Sequence, residues 1–238
     1  MAILGEQLTP VPVVLVTGDS ISAGWGDSAI SNGYLIRAFN AANIACHNDG
    51  RNTATFTSLS RYSQLPQYLS RYADHIVTHC GINDVNAGHS LNTIKSDMVE
   101  YCNTMGCLTN KLWFCTIMTN TTTTDAYATY VNQTVGPHET VRLQVNNWLR
   151  DATSTGAVAY LNANTVTKNI AGIIDSTAAI EKTISGAPRI VDANGQQNSG
   201  ATDGGLWLIN GTIDCLHPSS TATVPAATTV DTSKFTLF

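Results

Sequence analysis

Pro12-Val13-Val14-Leu15-Val16-Thr17-Gly18-Asp19-Ser20 is the stretch on which the fold turns. A continuous apolar run that keeps no polar face reads as a strand covered on both sides. It stops abruptly at Gly18-Asp19-Ser20, three residues that favour a tight turn. The run therefore predicts the first central strand of an α/β sheet, with the Ser20 hydroxyl presented at the strand's carboxyl end.

Working outward, residues 34–42 predict a helix with Leu35, Ala38 and Phe39 on one side, and 43–47 a second strand running into Asn48-Asp49-Gly50. Residues 59–72 read as helix. The run His75-Ile76-Val77-Thr78-His79 gives a third strand, which empties into Cys80-Gly81-Ile82-Asn83-Asp84. Leu91, Ile94, Met98 and Tyr101 or Cys102 recur at helical spacing and predict a helix over 91–105. A fourth strand over 111–117, a helix over 139–149 and a strand over 157–161 complete the alternation. Short strands alternating with helices point to parallel βαβ units, whose sites gather at the carboxyl ends of the strands.

Two regions follow the alternation less closely. Residues 119–136 carry four consecutive threonines, Thr121 to Thr124, and read as a long surface loop over the site. Residues 162–188 are expected to hold a helix from 166 to 184, with a further short strand at Ile190-Val191. No repeat or linker-like shift divides the chain, so residues 1–238 are expected to form a single domain.

The 238 residues are 43% hydrophobic, enough for a full core without a disulfide framework or structural metal. Only 12% are charged, and the formal net charge of -5 argues against nucleic-acid binding, which needs a concentrated basic surface. The same balance weakens attraction to anionic membranes. A neutral small molecule or glycan suits a surface built of Thr, Asn, Ser and Gln. No stretch approaches the roughly 20 apolar residues of a transmembrane segment, and residues 1–12 lack the basic start of a secretory signal. The expectation is a soluble protein whose compartment and oligomeric state are not legible.

The six cysteines lack CxxC metal spacing. Cys46, Cys80 and Cys115 read as small buried hydrophobes, while Cys102 and Cys107 could form a local bridge in an exported protein. Three Asn-x-Thr sequons, at Asn120, Asn132 and Asn210, are what chance provides in a chain rich in Asn and Thr. His47, His75 and His79 read as structural histidines rather than a metal set.

Chemistry enters with Asp214-Cys215-Leu216-His217-Pro218. A histidine base needs one ring nitrogen facing the nucleophile and the other facing a carboxylate, and a three-residue spacing lets Asp214 and His217 meet within one turn. Gly50 offers an unobstructed backbone N–H, and the Asn83 amide is a neutral donor. With the Ser20 N–H they could surround a developing oxyanion. Trp25, Arg51 and Trp207 are candidate substrate-pocket residues, each with a bland alternative as core or solvated surface.

Taken together these blocks resemble those of the SGNH, or GDSL-like, hydrolase superfamily. Gly18-Asp19-Ser20-Ile21 is similar to its nucleophile block, Asn48-Asp49-Gly50 to its glycine block, Gly81-Ile82-Asn83-Asp84 to its Gly-x-Asn-Asp block, and Asp214-Cys215-Leu216-His217 to its terminal Asp-x-x-His block. The resemblance implies a three-layer α/β/α sandwich around a mainly parallel sheet of about five strands. It implies a catalytic triad of Ser20, Asp214 and His217, oxyanion donors from Ser20, Gly50 and Asn83, and hydrolysis without metal or organic cofactor. The Gly-x-Ser-x-Gly elbow of other α/β hydrolases is absent, and no clear amphipathic helix follows His217. The expected reaction is hydrolysis of short acyl esters such as carbohydrate O-acetyl groups. The alternatives are a lysophospholipase or thioesterase using the same centre, and a noncatalytic carbohydrate-binding or interaction protein.

Overall fold

The computed structural model describes residues 11–28, 32–105, 110–182 and 205–236. Strand β1 (Val13–Gly18) runs into the one-turn helix α1 (Ser20–Ala23), and helix α2 (Tyr34–Ala41) leads to strand β2 (Ala45–Gly50). Helices α3 (Phe56–Tyr62) and α4 (Gln64–Leu69) precede strand β3 (His75–His79), the short helix α5 (Ile82–Asn86) and the long helix α6 (Leu91–Met105). Strand β4 (Lys111–Cys115), the small strands β5 (Thr121–Thr123) and β6 (Gln133–Val135), helices α7 (Glu139–Arg150) and α8 (Ala157–Asn164), and strand β7 (Ile170–Ile174) follow. Helix α9 (Ser220–Ala227) comes after the Asp-x-x-His turn.

The main sheet has the order β2-β1-β3-β4-β7, and every pairing in it is parallel. Helices α2 and α9 pack together in one layer and α3, α6, α7 and α8 in another, giving the expected α/β/α sandwich. Val14, Val16, Ile76 and Val77 are fully buried between the layers; each such side chain stabilises the fold by about 1.5–3 kcal/mol relative to exposure. The Tyr101 hydroxyl on α6 bonds Thr17 (2.7 Å) and Thr78 (2.5 Å), so the buried polar groups of β1 and β3 are satisfied from the helix layer.

The strand order reverses direction at β1: the chain steps outward to β2, then returns to β3 on the other side. Open parallel sheets place their crevice at that reversal, beyond the carboxyl ends of the strands. Ser20 follows β1, Gly50 ends β2 and Asn83 follows β3.

The structure corrects several expectations. Residues 157–161 form helix α8 rather than a strand, and of the helix expected over 166–184 the described part, 166–182, holds β7 and turns instead. Short apolar runs read equally well as either element, and here the β-branched Ile170, Ile173 and Ile174 take the sheet edge while α8 covers them. The second strand lies at 45–50 rather than 43–47, and the helix over 59–72 is divided at Ser63, which closes α3. Residues 119–136 are not simply a loop, since β5 and β6 pair within them as an antiparallel hairpin. A helix does follow His217, although its faces are scarcely differentiated. The strand expected at Ile190-Val191 and the Cys102–Cys107 bridge fall on, or require, residues outside those described. Cys80 and Cys115 are buried and Cys46 is half-buried.

Candidate active site

Gly18 makes the turn possible. Its φ of +136° is unfavourable for any other residue, and a Cβ there would overlap the His79 carbonyl. Asp19 then caps α1, its Oδ1 accepting the Ile21 N–H at 2.9 Å. Ser20, as the first helical residue, contributes an N–H that no preceding turn of helix consumes. Its hydroxyl lies 2.7 Å from His217 Nε2.

On the other side of the imidazole, Nδ1 lies 2.6 Å from Asp214 Oδ2. The Nδ1–H tautomer lets the ring donate to Asp214 and accept the Ser20 proton on Nε2. Asp214 Oδ1 accepts the backbone N–H groups of His217 (2.8 Å) and Leu216 (3.2 Å). Partial burial pulls the Asp214 carboxyl upward, but the His217 ring and these two N–H groups outweigh it and hold the carboxyl below its ordinary value.

The turn itself is tightly held. Cys215, between Asp214 and His217, has φ +74°, a left-handed conformation that a non-glycine residue adopts at a cost of roughly 1–3 kcal/mol. Two donors fix its carbonyl, the Trp207 indole Nε1–H and the Thr121 N–H, each at 3.1 Å. Thr212 Oγ1 donates to the His217 carbonyl at 2.7 Å, and Thr223 on α9 reaches Asp27 beyond α1 at 2.9 Å.

The other expected residues are placed less uniformly. Asn83, in α5, donates one amide hydrogen to the Ala54 carbonyl at 2.9 Å and retains a second. Gly50 packs so closely against α1 that a Cβ would overlap the Ala23 backbone, and its N–H is engaged by the Asn48 Oδ1 at 3.0 Å. Asn48 Nδ2 meanwhile donates to the Ser22 carbonyl at 2.9 Å, so this side chain stitches α1 to the end of β2. Arg51 turns its guanidinium to Asp49 and Ser63. Trp25 is 43% exposed, with its ring centroid 6.2 Å from that of His217. Trp207, expected on a pocket wall, is instead fully buried behind the Asp-His turn.

Asn48, Thr121, Gln133 and Cys215 were not singled out from the sequence. Asn48 and Cys215 carried a signal, their places beside Gly50 in the block that ends β2 and between Asp214 and His217 in the terminal block. Asp84, His89 and Asp97 also meet, His89 Nδ1 lying 3.8 Å and 3.6 Å from the two carboxylates. His75 and His79 are structural in their contacts: His75 bonds the Thr236 carbonyl, and His79 Nδ1 the Tyr34 hydroxyl at 2.8 Å.

No curated protein matches the chain significantly. Among solved structures, a lipolytic G-D-S-L protein from Desulfitobacterium hafniense is similar at 13% identity and a TM-score of 0.56, covering 91% of this chain and 96% of that one. A variant of Axe2, an acetyl-xylooligosaccharide esterase from Geobacillus Stearmophilus, aligns at 15% identity and a TM-score of 0.54, over 92% of this chain and 91% of that one. A G-D-S-L protein from Veillonella parvula aligns at 14% identity and a TM-score of 0.50, over 93% and 99%. These likenesses concern the fold. In sequence, the model of the GDSL-like Lipase/Acylhydrolase family matches residues 14–227, from β1 through α9. The chain belongs to the GDSL-like lipase/acylhydrolase family and is a carboxylic ester hydrolase.

Proposed function

We propose that Ser20 is the nucleophile, His217 the general base and Asp214 its orienting carboxylate, and that the substrates are short acyl esters of carbohydrates. The observation that carries this reading is the continuous line of short contacts from Asp214 through both ring nitrogens of His217 to the Ser20 hydroxyl. His217 Nε2 takes the hydroxyl proton as Ser20 Oγ attacks the carbonyl carbon. The C–O bond to the alcohol then breaks as the imidazolium returns that proton to the leaving oxygen. In the second half, His217 deprotonates water, the resulting hydroxide attacks the acyl carbon, and Ser20 leaves with its proton restored.

The oxyanion is assigned to the Ser20 N–H and the free amide hydrogen of Asn83 in the first instance. The Gly50 N–H joins them when it exchanges Asn48 for the substrate oxygen. Loss of one such donor typically costs about 2.7–4 kcal/mol of transition-state stabilisation. Asn83→Ala is accordingly expected to lower kcat on the order of 10²–10³-fold with folding intact.

The carbohydrate reading rests on an open rim. The Asp214 side chain is 41% exposed, and Trp25 offers an accessible aromatic face beside His217, a geometry suited to stacking on a sugar ring. Axe2 shows that this fold can serve an acetylated oligosaccharide. The test is a panel of p-nitrophenyl esters from acetyl to palmitoyl together with acetylated xylo-oligosaccharides. Turnover concentrated on acetyl esters, with KM raised in Trp25→Ala, is expected. Turnover confined to long acyl chains or thioesters would overturn the substrate assignment.

A further inference from the structure

Gln133, in β6, is buried, and its carboxamide makes a reciprocal pair with the backbone of Trp207. Trp207 N–H donates to Gln133 Oε1 at 2.8 Å, and Gln133 Nε2 donates to the Trp207 carbonyl at 2.9 Å. The side chain thus acts as an extra peptide group, satisfying one donor and one acceptor that would otherwise be buried without partners. Trp207 hands this constraint onward, since its indole N–H reaches the Cys215 carbonyl. The hairpin contributes the second donor as well: Thr121, which pairs with Val135 in the register that carries Gln133, donates its N–H to the same carbonyl.

Both donors therefore converge on the one residue of the acid-base turn with a left-handed backbone. Without them the Cys215 peptide is free to relax toward an ordinary conformation, and Asp214 and His217, on either side of it, lose their mutual orientation. A shift on the order of 1 Å in a catalytic group can cost about 10²-fold in rate.

We infer that Gln133 is a positioning residue of the ester hydrolase, acting through Trp207 to hold the Asp214–His217 pair in line with Ser20. This rests on the triad proposed above. Gln is the residue type required. Glu at this position would set a carboxylate oxygen against the Trp207 carbonyl, and Met would leave both backbone groups of Trp207 unpaired.

The test compares wild type, Gln133→Met and Trp207→Phe on p-nitrophenyl acetate, with rates expressed per active site as titrated by a fluorophosphonate. Trp207→Phe deletes the indole donor together with part of the buried ring volume but leaves the Gln133–backbone pair in place, so kcat per titrated site and the proton resonance, rather than Tm, carry the test if Gln133→Met folds poorly. Both variants are expected to lose about 10- to 100-fold in kcat with KM within about twofold of wild type. In both, the downfield proton resonance of the His217–Asp214 hydrogen bond should broaden or vanish. A lower Tm with wild-type kcat per titrated site and an unchanged resonance would overturn the inference while leaving the triad standing. Wild-type turnover by Ser20→Ala, run alongside, would overturn the triad and this inference together.

Discussion

Asp19 sits between the glycine turn and Ser20, fully buried, and its Oδ2 has no hydrogen-bond partner among the described residues. Burial pushes its carboxyl up to about 7, opposed by the Ile21 N–H and reinforced by the nearby charge of Asp84. Between the ordinary value of 3.8 and about 7 the folded protein holds a proton that the unfolded chain has released, so stability falls as pH rises through that window. Asp19→Asn keeps the acceptor for Ile21 and removes the buried charge. The expected result is a Tm that declines from about pH 4 to pH 7 in wild type and declines less steeply in the variant, where only Asp84, raised to about 6 by its own burial, still contributes, each kcal/mol being worth about 2–4 °C. Equal slopes in the two melting series would show that Asp19 is not the group responsible. At Asp214, replacement by Asn keeps the shape but favours the wrong imidazole tautomer, and kcat is expected to fall on the order of 10⁴-fold.

Among the elements, the β5–β6 hairpin is the one whose role outgrew its sequence. Its connecting loop is organised by Asp125, whose carboxylate accepts from Thr129, Asn132 and Thr123 and is drawn down to about 2 by those bonds. A depressed carboxyl contributes stability that is present above its unfolded value of 3.8 and is lost as pH falls toward 2. Asp125→Ala should therefore lower the amide protection factors across residues 121–135 at neutral pH, to values that wild type shows only below about pH 3. Unchanged exchange in the variant would deny the carboxylate that role. Strands β1 and β3 were legible because β-branched residues and a glycine-containing exit accompany each run, and helix α6 because its apolar residues recur at helical spacing. The hairpin was not, because Thr121 to Thr124 and Gln133 are polar residues with no period, and what fixes them lies some seventy positions away at Trp207. The exchange of strand and helix between 157–161 and 170–174 has a different cause, since short apolar runs are settled only by what packs on them. Ser20, Asp214 and His217 could be picked out because chemistry restricts those residue types, whereas the left-handed Cys215 and the engaged Gly50 N–H depend on contacts that spacing does not encode.

At the scale of the molecule, the site exists because the sheet changes direction at β1 and because the chain returns after almost two hundred residues to place His217 over Ser20. Gly50 leaves that assembly little tolerance: a methyl group there meets α1, so Gly50→Ala should displace the helix that carries Ser20, cost about 1–3 kcal/mol of stability and depress turnover together. A variant with wild-type Tm and activity would mean that α1 yields freely. Turnover at this site requires that Ser20 Oγ be the atom that is acylated. Intact-protein and peptide mass spectrometry after reaction with a fluorophosphonate reads this most directly. One adduct per chain, located on Ser20, abolished in Ser20→Ala and greatly slowed in His217→Ala, is the expected result. An adduct on another residue, or ester hydrolysis surviving undiminished in Ser20→Ala, would contradict it.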